Sequence, residues 1–323
     1  MKIAFASCFC EQVFPNQPVW DWIVAKNPDY LILLGDSIYL DIHTVSHPML
    51  MTEDEFAQHL FKLYSAQLQV PEFARLIKTL GPKRVFSIWD DHDFLWNDEL
   101  GAEALASPEK RDKVILSSAF QTAFRKTIYS GLAPNTFPKK YNAPEFWQTK
   151  HYPLDTPSYL LPENVWLHLS DGRTHRTRKW AIASSKRTLL GRQQKEDLAK
   201  VYASSDIDSV HLFASGSVLG DYKKTYPIDF DWLLRQSSLR RTLALSGDIH
   251  RNSLDEFAGK RFPLYEATSS GAAVRELVVV GERRDNFGIL EIDQNSVSIN
   301  LYAKNKVETK LRRKINRSTW GVV

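Results

Sequence analysis

Hydrophobic residues in the first hundred positions fall into short unbroken runs that stop at polar clusters. Residues 31–34 are apolar throughout and lead directly into Gly35-Asp36. A run of this length bounded by turn residues is the pattern of a strand covered on both faces. Residues 3–6 have the same character and end at Ser7-Cys8-Phe9-Cys10, and 85–89 end at Asp90-Asp91-His92-Asp93. Between the first two runs, Pro15 and Pro18 mark a loop, 19–25 reads as helix, and Asn27-Pro28-Asp29 turns the chain. Strand, helix, strand is the βαβ unit of a parallel pair.

Helical spacing takes over after residue 51. Thr52 with Glu55 forms a capping box ahead of Phe56, Leu60, Leu63 and Tyr64. Pro71 opens a second helix over 71–80, which Gly81-Pro82 ends. Ser107-Pro108 opens a long helix with Val114, Phe120, Phe124 and Ile128 as its apolar positions, closed by Gly131. The segment 132–162 is rich in Pro, Asn, Tyr and Trp without a clear period, and is expected to be a long ordered loop over the site. Beyond it strands dominate. Val165, Leu167 and Leu169 alternate up to Asp171-Gly172-Arg173. Further strands are expected at 180–183, 210–214, 242–245, 264–267, 277–280, 288–292 and 297–302, with a helix at 191–202. About ten strands with few helices between the last ones predict an α/β fold of two packed sheets flanked by helices. With no internal repeat and no linker, one domain over 1–323 is expected.

Composition changes this picture little. A hydrophobic share of 43% fills a core rather than leaving a disordered chain, and the heavy aromatic load is assigned to core and groove packing. A net charge of +4 is mild and does not indicate nucleic acid. The excess gathers at Lys304, Lys306, Lys310, Arg312, Arg313, Lys314 and Arg317, which reads as a solvated tail or helix face. Two cysteines, Cys8 and Cys10, exclude a disulfide framework. The apolar start is too short for a signal segment, and no run approaches the ~20 residues of a membrane span, so the expectation is a soluble, cytoplasmic protein.

The strand ends carry the candidate chemistry. Ser7-Cys8, Gly35-Asp36 with Tyr39 and Asp41 behind it, Asp90 to Asp93, and Ser246-Gly247-Asp248-Ile249-His250 each follow an apolar run. In an α/β fold such ends converge on one edge. Carboxylates suit hard cations, while thiolate and imidazole suit softer ones. Singly the pieces are bland: Gly-Asp is a common turn, a cysteine near a strand is commonly a small buried residue, and Asp248-x-His250 suits a helix cap with a surface histidine. Three carboxylates in four residues at 90–93 are harder to explain, because they repel one another unless cations or arginines compensate. Arg173 has the planar fork that grips phosphate; its alternative is an ion pair with Asp171 or Asp155. Three readings follow: a metal-dependent hydrolase, a nuclease, or a non-catalytic module gripping a polyanion or protein through the basic C-terminus and the aromatic 132–162 segment.

The pieces FASCF at 5–9, LLGDSIYLD at 33–41, SIWDDHDFLWND at 87–98, LHLSDGRTHR at 167–176, LLGRQQ at 189–194, LSGDIHR at 245–251, ATSSG at 267–271 and NFGILEID at 286–293 occur in one order along the chain. By them the sequence resembles the alkaline phosphatase D family of calcineurin-like metallophosphoesterases. The resemblance implies a four-layer α/β/β/α sandwich and hydrolysis of phosphate mono- or diesters by a multinuclear metal site and metal-activated water. It implies that Asp36 bridges two metals. Cys8, Tyr39 and His250 resemble ligands of a ferric ion. Asp91 and Asp248 resemble ligands of calcium, with zinc or manganese as alternatives. Either Asp90 or Asp91 could be the ligand, and Asp91 is preferred because it directly precedes His92. His92 falls at the catalytic histidine, as general acid or as a partner orienting its neighbours. Asn97 would help hold a metal or the phosphate, and Arg173 the substrate. Family members often carry an N-terminal signal and added domains; this chain begins at its first strand and is compact.

Overall fold

A computed structural model describes residues 1–148, 153–178, 182–275 and 283–323. The period-two alternation of the first strands sets the layering. In β1 (Lys2–Ala6) and β2 (Tyr30–Leu34), Ile3, Phe5, Ile32 and Leu34 face a second sheet. Ala4, Ala6, Leu31 and Leu33 face helices. Successive side chains of a strand point to opposite faces, so a strand covered on both sides must be apolar at every position. The opposite wall of the inter-sheet core comes from β5 (Val165–Leu169), β6 (Val210–Ser215) and β7 (Arg241–Ser246), through Leu167, Leu169, Leu212, Ala214, Leu243 and Leu245.

The first sheet runs β12-β11-β10-β1-β2-β3, with β3 at Val85–Ile88, β10 at Asn286–Ile292, β11 at Ser296–Ala303 and β12 at Lys306–Asn316. The second runs β4-β5-β6-β7-β9-β8, with β4 at Ser158–Leu161, β8 at Asn252–Phe257 and β9 at Leu264–Ser269. Helices α1 (Val19–Val24), α2 (Glu53–Gln69), α3 (Pro71–Leu80) and α6 (Pro108–Tyr129) cover the first sheet, with the short α4 (Asp91–Phe94) and α5 (Gly101–Ala106) between α3 and α6. Helices α7 (Arg192–Ser204), α8 (Leu219–Thr225) and α9 (Pro227–Leu239) cover the second. This is the expected α/β/β/α sandwich. Strands β1, β2 and β3 are mutually parallel, as are β5, β6, β7 and β9. Their carboxyl ends therefore meet along one rim. The Thr52–Glu55 capping box forms as expected. No described helix is long and apolar enough to cross a membrane.

Four expectations need correction. The basic C-terminal run is neither tail nor helix; it forms the edge strand β12, paired with β11. Charged side chains on such an edge discourage pairing with another chain. The described part of 132–162 does not cover the site. Phe146 stacks on Phe120 of α6 at 3.7 Å and meets Phe61 of α2 and Phe137, buckling the segment onto the outer helices. Helices α8 and α9 lie where none was expected. Tyr222, Tyr226, Phe230 and Leu233 are buried at helical spacing, but Pro227 splits the run into two short helices with Tyr226 at their junction. Of the expected strand at 180–183, residues 180 and 181 lie outside the described residues and 182–183 are not strand; the one at 277–280 lies wholly outside.

Candidate metal centre

Parallel pairing of β1 and β2 brings the first two strand ends side by side. The Cys8 N–H donates to the Gly35 carbonyl at 3.2 Å, and the Phe9 N–H to the Asp36 carbonyl at 3.0 Å. Beyond the strands the backbone is unusual. Cys8, Asp36, Asp248 and His250 have φ of 60°, 50°, 74° and 51°. Non-glycine residues in this region cost about 1–3 kcal/mol each and concentrate at functional sites, where the surroundings over-determine them. Gly35, at φ +93°, lies so close to the third strand end that a Cβ there would sit 2.7 Å from the Cβ of Asp90.

The side chains form one continuous row of donors. Cys8, Asp36 and His250 place ligand atoms within 4.8 Å of one another; so do Asp36, Asp91 and His92, and so do Asp90, Asp91 and Asp248. Asp36 joins the first group to the second, and Asp91 the second to the third. Tyr39 belongs to the first, its Oη 3.5 Å from Asp36 Oδ2 and 3.4 Å from His250 Nε2. The Cys8 thiol lies 3.3 Å from Asp36 Oδ2 and 3.1 Å from the Ser270 hydroxyl, which also accepts the His250 N–H. One end of the row thus offers sulfur, phenol and imidazole, and the other offers carboxylates alone.

Hydrogen bonding within the chain leaves this row incomplete. Asp36 Oδ1, Asp90 Oδ2 and Asp91 Oδ1 are buried without a hydrogen-bond partner. Buried polar atoms are almost always paired, because an unpaired one carries its full desolvation cost. Burial, followed by the neighbouring Cys8 and Asp91, raises the Asp36 pKa well above the usual carboxylate range. Burial, then Asp90 and Asp91, pushes Asp248 up to about 7. Burial pushes the Cys8 thiol to about 11 and raises the Tyr39 phenol too. Asp91 goes the other way: burial opposes its charge, but the Arg173 guanidinium, His92 and the Asp98 N–H together outweigh it. Metal cations would favour the deprotonated forms of these groups and satisfy the orphan oxygens. The donor set fits a metal cluster.

No protein-family model matches this chain, and no curated protein matches it. A solved structure named PhoD overlays 100% of this chain and 71% of its own, with a TM-score of 0.69 at 12% identity. The fold is a metallophosphatase-like sandwich. At that identity the likeness shows the fold alone. Looser overlays are a predicted phosphoesterase from Streptococcus pneumoniae TIGR4 (TM-score 0.37, 10% identity, 98% of this chain and 97% of the other) and Vps29 of Entamoeba histolytica complexed with zinc (TM-score 0.34, 13% identity, 98% and 99%). Neither superposes closely enough to align site residues.

The structure brings Cys8, Asp36, Tyr39, Asp91, His92, Asp248 and His250 together, as the sequence implied. Asp90 joins them, so both members of the Asp90–Asp91 pair face the cluster, with Asp91 the more central. Asp93 turns away: its carboxylate accepts the N–H groups of Ser37, Ile38 and Asp90, clamping the turn after β2. Arg173 resolves the remaining repulsion. It is 1% exposed, donates from Nε to Asp90 Oδ1 and sits 3.4 Å from Asp91 Oδ1. The guanidinium thus grips carboxylates of its own chain. The partner considered for it, Asp171, instead accepts the Trp89 indole N–H and the main-chain N–H groups of Arg173 and Thr174. Asn97 is exposed, and its main-chain N–H, rather than its amide, ties it to the site by donating to Asp41 Oδ2 at 2.9 Å.

Sequence reasoning undervalued Asp41, whose Oδ1 lies 2.6 Å from His92 Nδ1. Its signal was its place in the same strand-end run as Asp36 and Tyr39. It missed Ser270, which only the neighbouring β9 end brings beneath Cys8. The His92 ring also stacks on Tyr39 at 4.2 Å. Burial opposes a charge on His92, but the Asp41 bond and the Asp91 and Asp36 carboxylates overcome it and raise its pKa to about 10.

Proposed function

We propose that this chain is a metal-dependent hydrolase of phosphate mono- or diesters with a multinuclear centre. The observation supporting this is the unbroken donor row, three of whose carboxylate oxygens are buried without a hydrogen bond. Cys8, Tyr39 and His250 with Asp36 suit ferric iron; Asp36, Asp91 and Asp248 suit calcium, with zinc or manganese as alternatives. When bound, the cations supply polarisation of the phosphoryl oxygens and a lowered pKa for the attacking water.

The chain's own groups do the rest. Asp41 takes Nδ1 of His92, which leaves Nε2 as the free ring nitrogen, and its carboxylate favours a proton on the ring. A proton so held can pass to the leaving oxygen of an ester. Arg173 favours the ionised form of Asp91 and aims both Asp90 and Asp91 rather than meeting substrate. Metal analysis of the protein as purified, followed by assays on a nitrophenyl phosphate and a bis(nitrophenyl) phosphate, tests the reading. Iron or another transition metal with turnover of one ester is the expected result. Metal-loaded protein inert on both, from mildly acid to strongly alkaline pH, would end it.

A further inference from the structure

A second cleft lies apart from the metal-ligand row. Strand β3 is the last strand of the first sheet and β4 of the second, so one flank of the sandwich has no strand to close it. Helix α6 borders that flank, and the cleft beneath holds about 540 Å³. That is the size of a small-molecule site. It lies along the body of β3 at Val85 to Ser87, and Ser87 is three residues, roughly 10 Å of extended chain, ahead of Asp90. None of its lining residues belongs to the donor row.

The lining has two parts. Phe86, Tyr129 and Tyr159 form a ring cluster, with centroids 5.7 Å apart for Phe86–Tyr129, 4.8 Å for Phe86–Tyr159 and 6.0 Å for Tyr129–Tyr159. Beside them α6 contributes two cations, Arg125 and Lys126. Among the described residues neither has a carboxylate within 4.0 Å. Arg125 donates from Nη1 to the main-chain carbonyl of Asp155 at 2.7 Å, which fixes the guanidinium across the cleft mouth. Asp155, the acid lining the cleft, is exposed at the rim, so the lining keeps a net positive charge.

We propose that this cleft binds an aromatic phosphate-class dianion, with its ring against Phe86, Tyr129 and Tyr159 and its oxyanion on Arg125 and Lys126. Each half of the lining rejects a simpler ligand. Inorganic phosphate would use none of the ring surface that lines the cleft, whereas a further offset or edge-to-face ring adds to burial alone. A neutral aromatic would bring apolar bulk against a half-buried guanidinium that has no carboxylate in ion-pair contact among the described residues. A guanidinium can meet phosphoryl oxygens with two parallel N–H bonds, and the adjacent ammonium adds a second charge.

The test is titration calorimetry of phenylphosphonate into the full chain after chelator treatment, in the wild type and in Asp36→Asn, so that the metal centre cannot capture the probe. One site is expected in both. Arg125→Gln and Tyr159→Leu, both at half-buried positions, should each weaken it at least tenfold while the melting curve shows the fold retained. Inorganic phosphate and benzoate should each bind at least tenfold more weakly than phenylphosphonate. No binding to the metal-free protein, binding unchanged in both cleft variants, or inorganic phosphate binding as tightly would each overturn the proposal. Because the metal centre is disabled throughout, failure here leaves the phosphoesterase reading untouched.

Discussion

Two buried polar clusters in this molecule behave in opposite ways. At the rim, Asp36, Asp90 and Asp91 each keep a buried oxygen without a hydrogen bond, and the backbone at Asp36 and Cys8 is left-handed. Deeper in the second sheet, His168 and His211 lie diagonally on the paired strands β5 and β6, His168 opposite Phe213 and His211 opposite Trp166. There every imidazole nitrogen has a partner. Ser158 Oγ meets His168 Nδ1 at 2.8 Å, His168 Nε2 meets His211 Nδ1 at 2.8 Å, and His211 Nε2 meets Ser205 Oγ at 3.0 Å. The Tyr202 ring stacks on both imidazoles. Ionisable groups are buried in both places. What separates a site from a structural strut is whether the protein satisfies them itself.

The sharpest way to break the comparison is to neutralise one carboxylate at the rim. Asp36→Asn is expected to abolish metal retention and turnover. The chelated variant should melt no lower than chelated wild type, because an acid whose charge burial opposes is replaced by a neutral side chain. A large loss of stability would place Asp36 with the struts. His92→Ala comes next. It should slow alkyl phosphates by about 10²–10⁴ and nitrophenyl esters far less, since a good leaving group needs no proton. Equal losses on both would assign His92 to positioning alone.

Arg173→Met leaves Asp90 and Asp91 without their guanidinium. It should cost about 3–5 kcal/mol in denaturant melts of the chelated protein. Calcium should restore part of that if a cation takes over the arginine's task. No rescue would argue against a cation between these carboxylates.

The smallest effect is the pH slope, and its sign differs between the clusters. Burial lowers His168 to about 3, and burial with His168 lowers His211 to about 2. An unfolded histidine takes a proton near 6.5. The pair's contribution is therefore complete above that pH and declines below it, by about 1.4 kcal/mol per pH unit for each ring. Asp248, raised to about 7 in the folded chain, contributes in the reverse sense, stabilising at low pH and losing that contribution as pH rises toward 7. His168→Asn should flatten the acid limb of the stability curve, and Asp248→Asn in chelated protein should flatten the neutral one. Stability curves for the two variants that run parallel to wild type would erase the distinction.

Much of this was legible along the chain. Apolar runs ending in Gly-Asp, Asp-Asp-His and Gly-Asp-Ile-His announced both the strands and the rim, because strand burial and the chemistry at strand ends are written by adjacent residues. Pairing was less legible. Arg173 looked like a phosphate grip from its place after a strand, and only the parallel register of β5 beside β6, with β3 across the inter-sheet core, puts it against Asp90 and Asp91. Strand β12 and the segment around Phe146 were misplaced for a related reason. A charged edge strand and an irregular aromatic loop carry no period of their own and take their form from the surface they meet.

The amino-acid order by itself determined the layers, the strand-end clusters and the kind of donor each supplies, since these follow from local periodicity and side-chain chemistry. Tertiary structure decided which carboxylates would be answered by the protein and which left open. Asp93 found three main-chain N–H groups and Asp90 an arginine, while Asp36 kept a bare buried oxygen. Those outcomes depend on atoms brought from across the sequence to within a few ångströms, and hydrogen-bond energy falls off too steeply with distance and angle for residue spacing along the chain to foretell them.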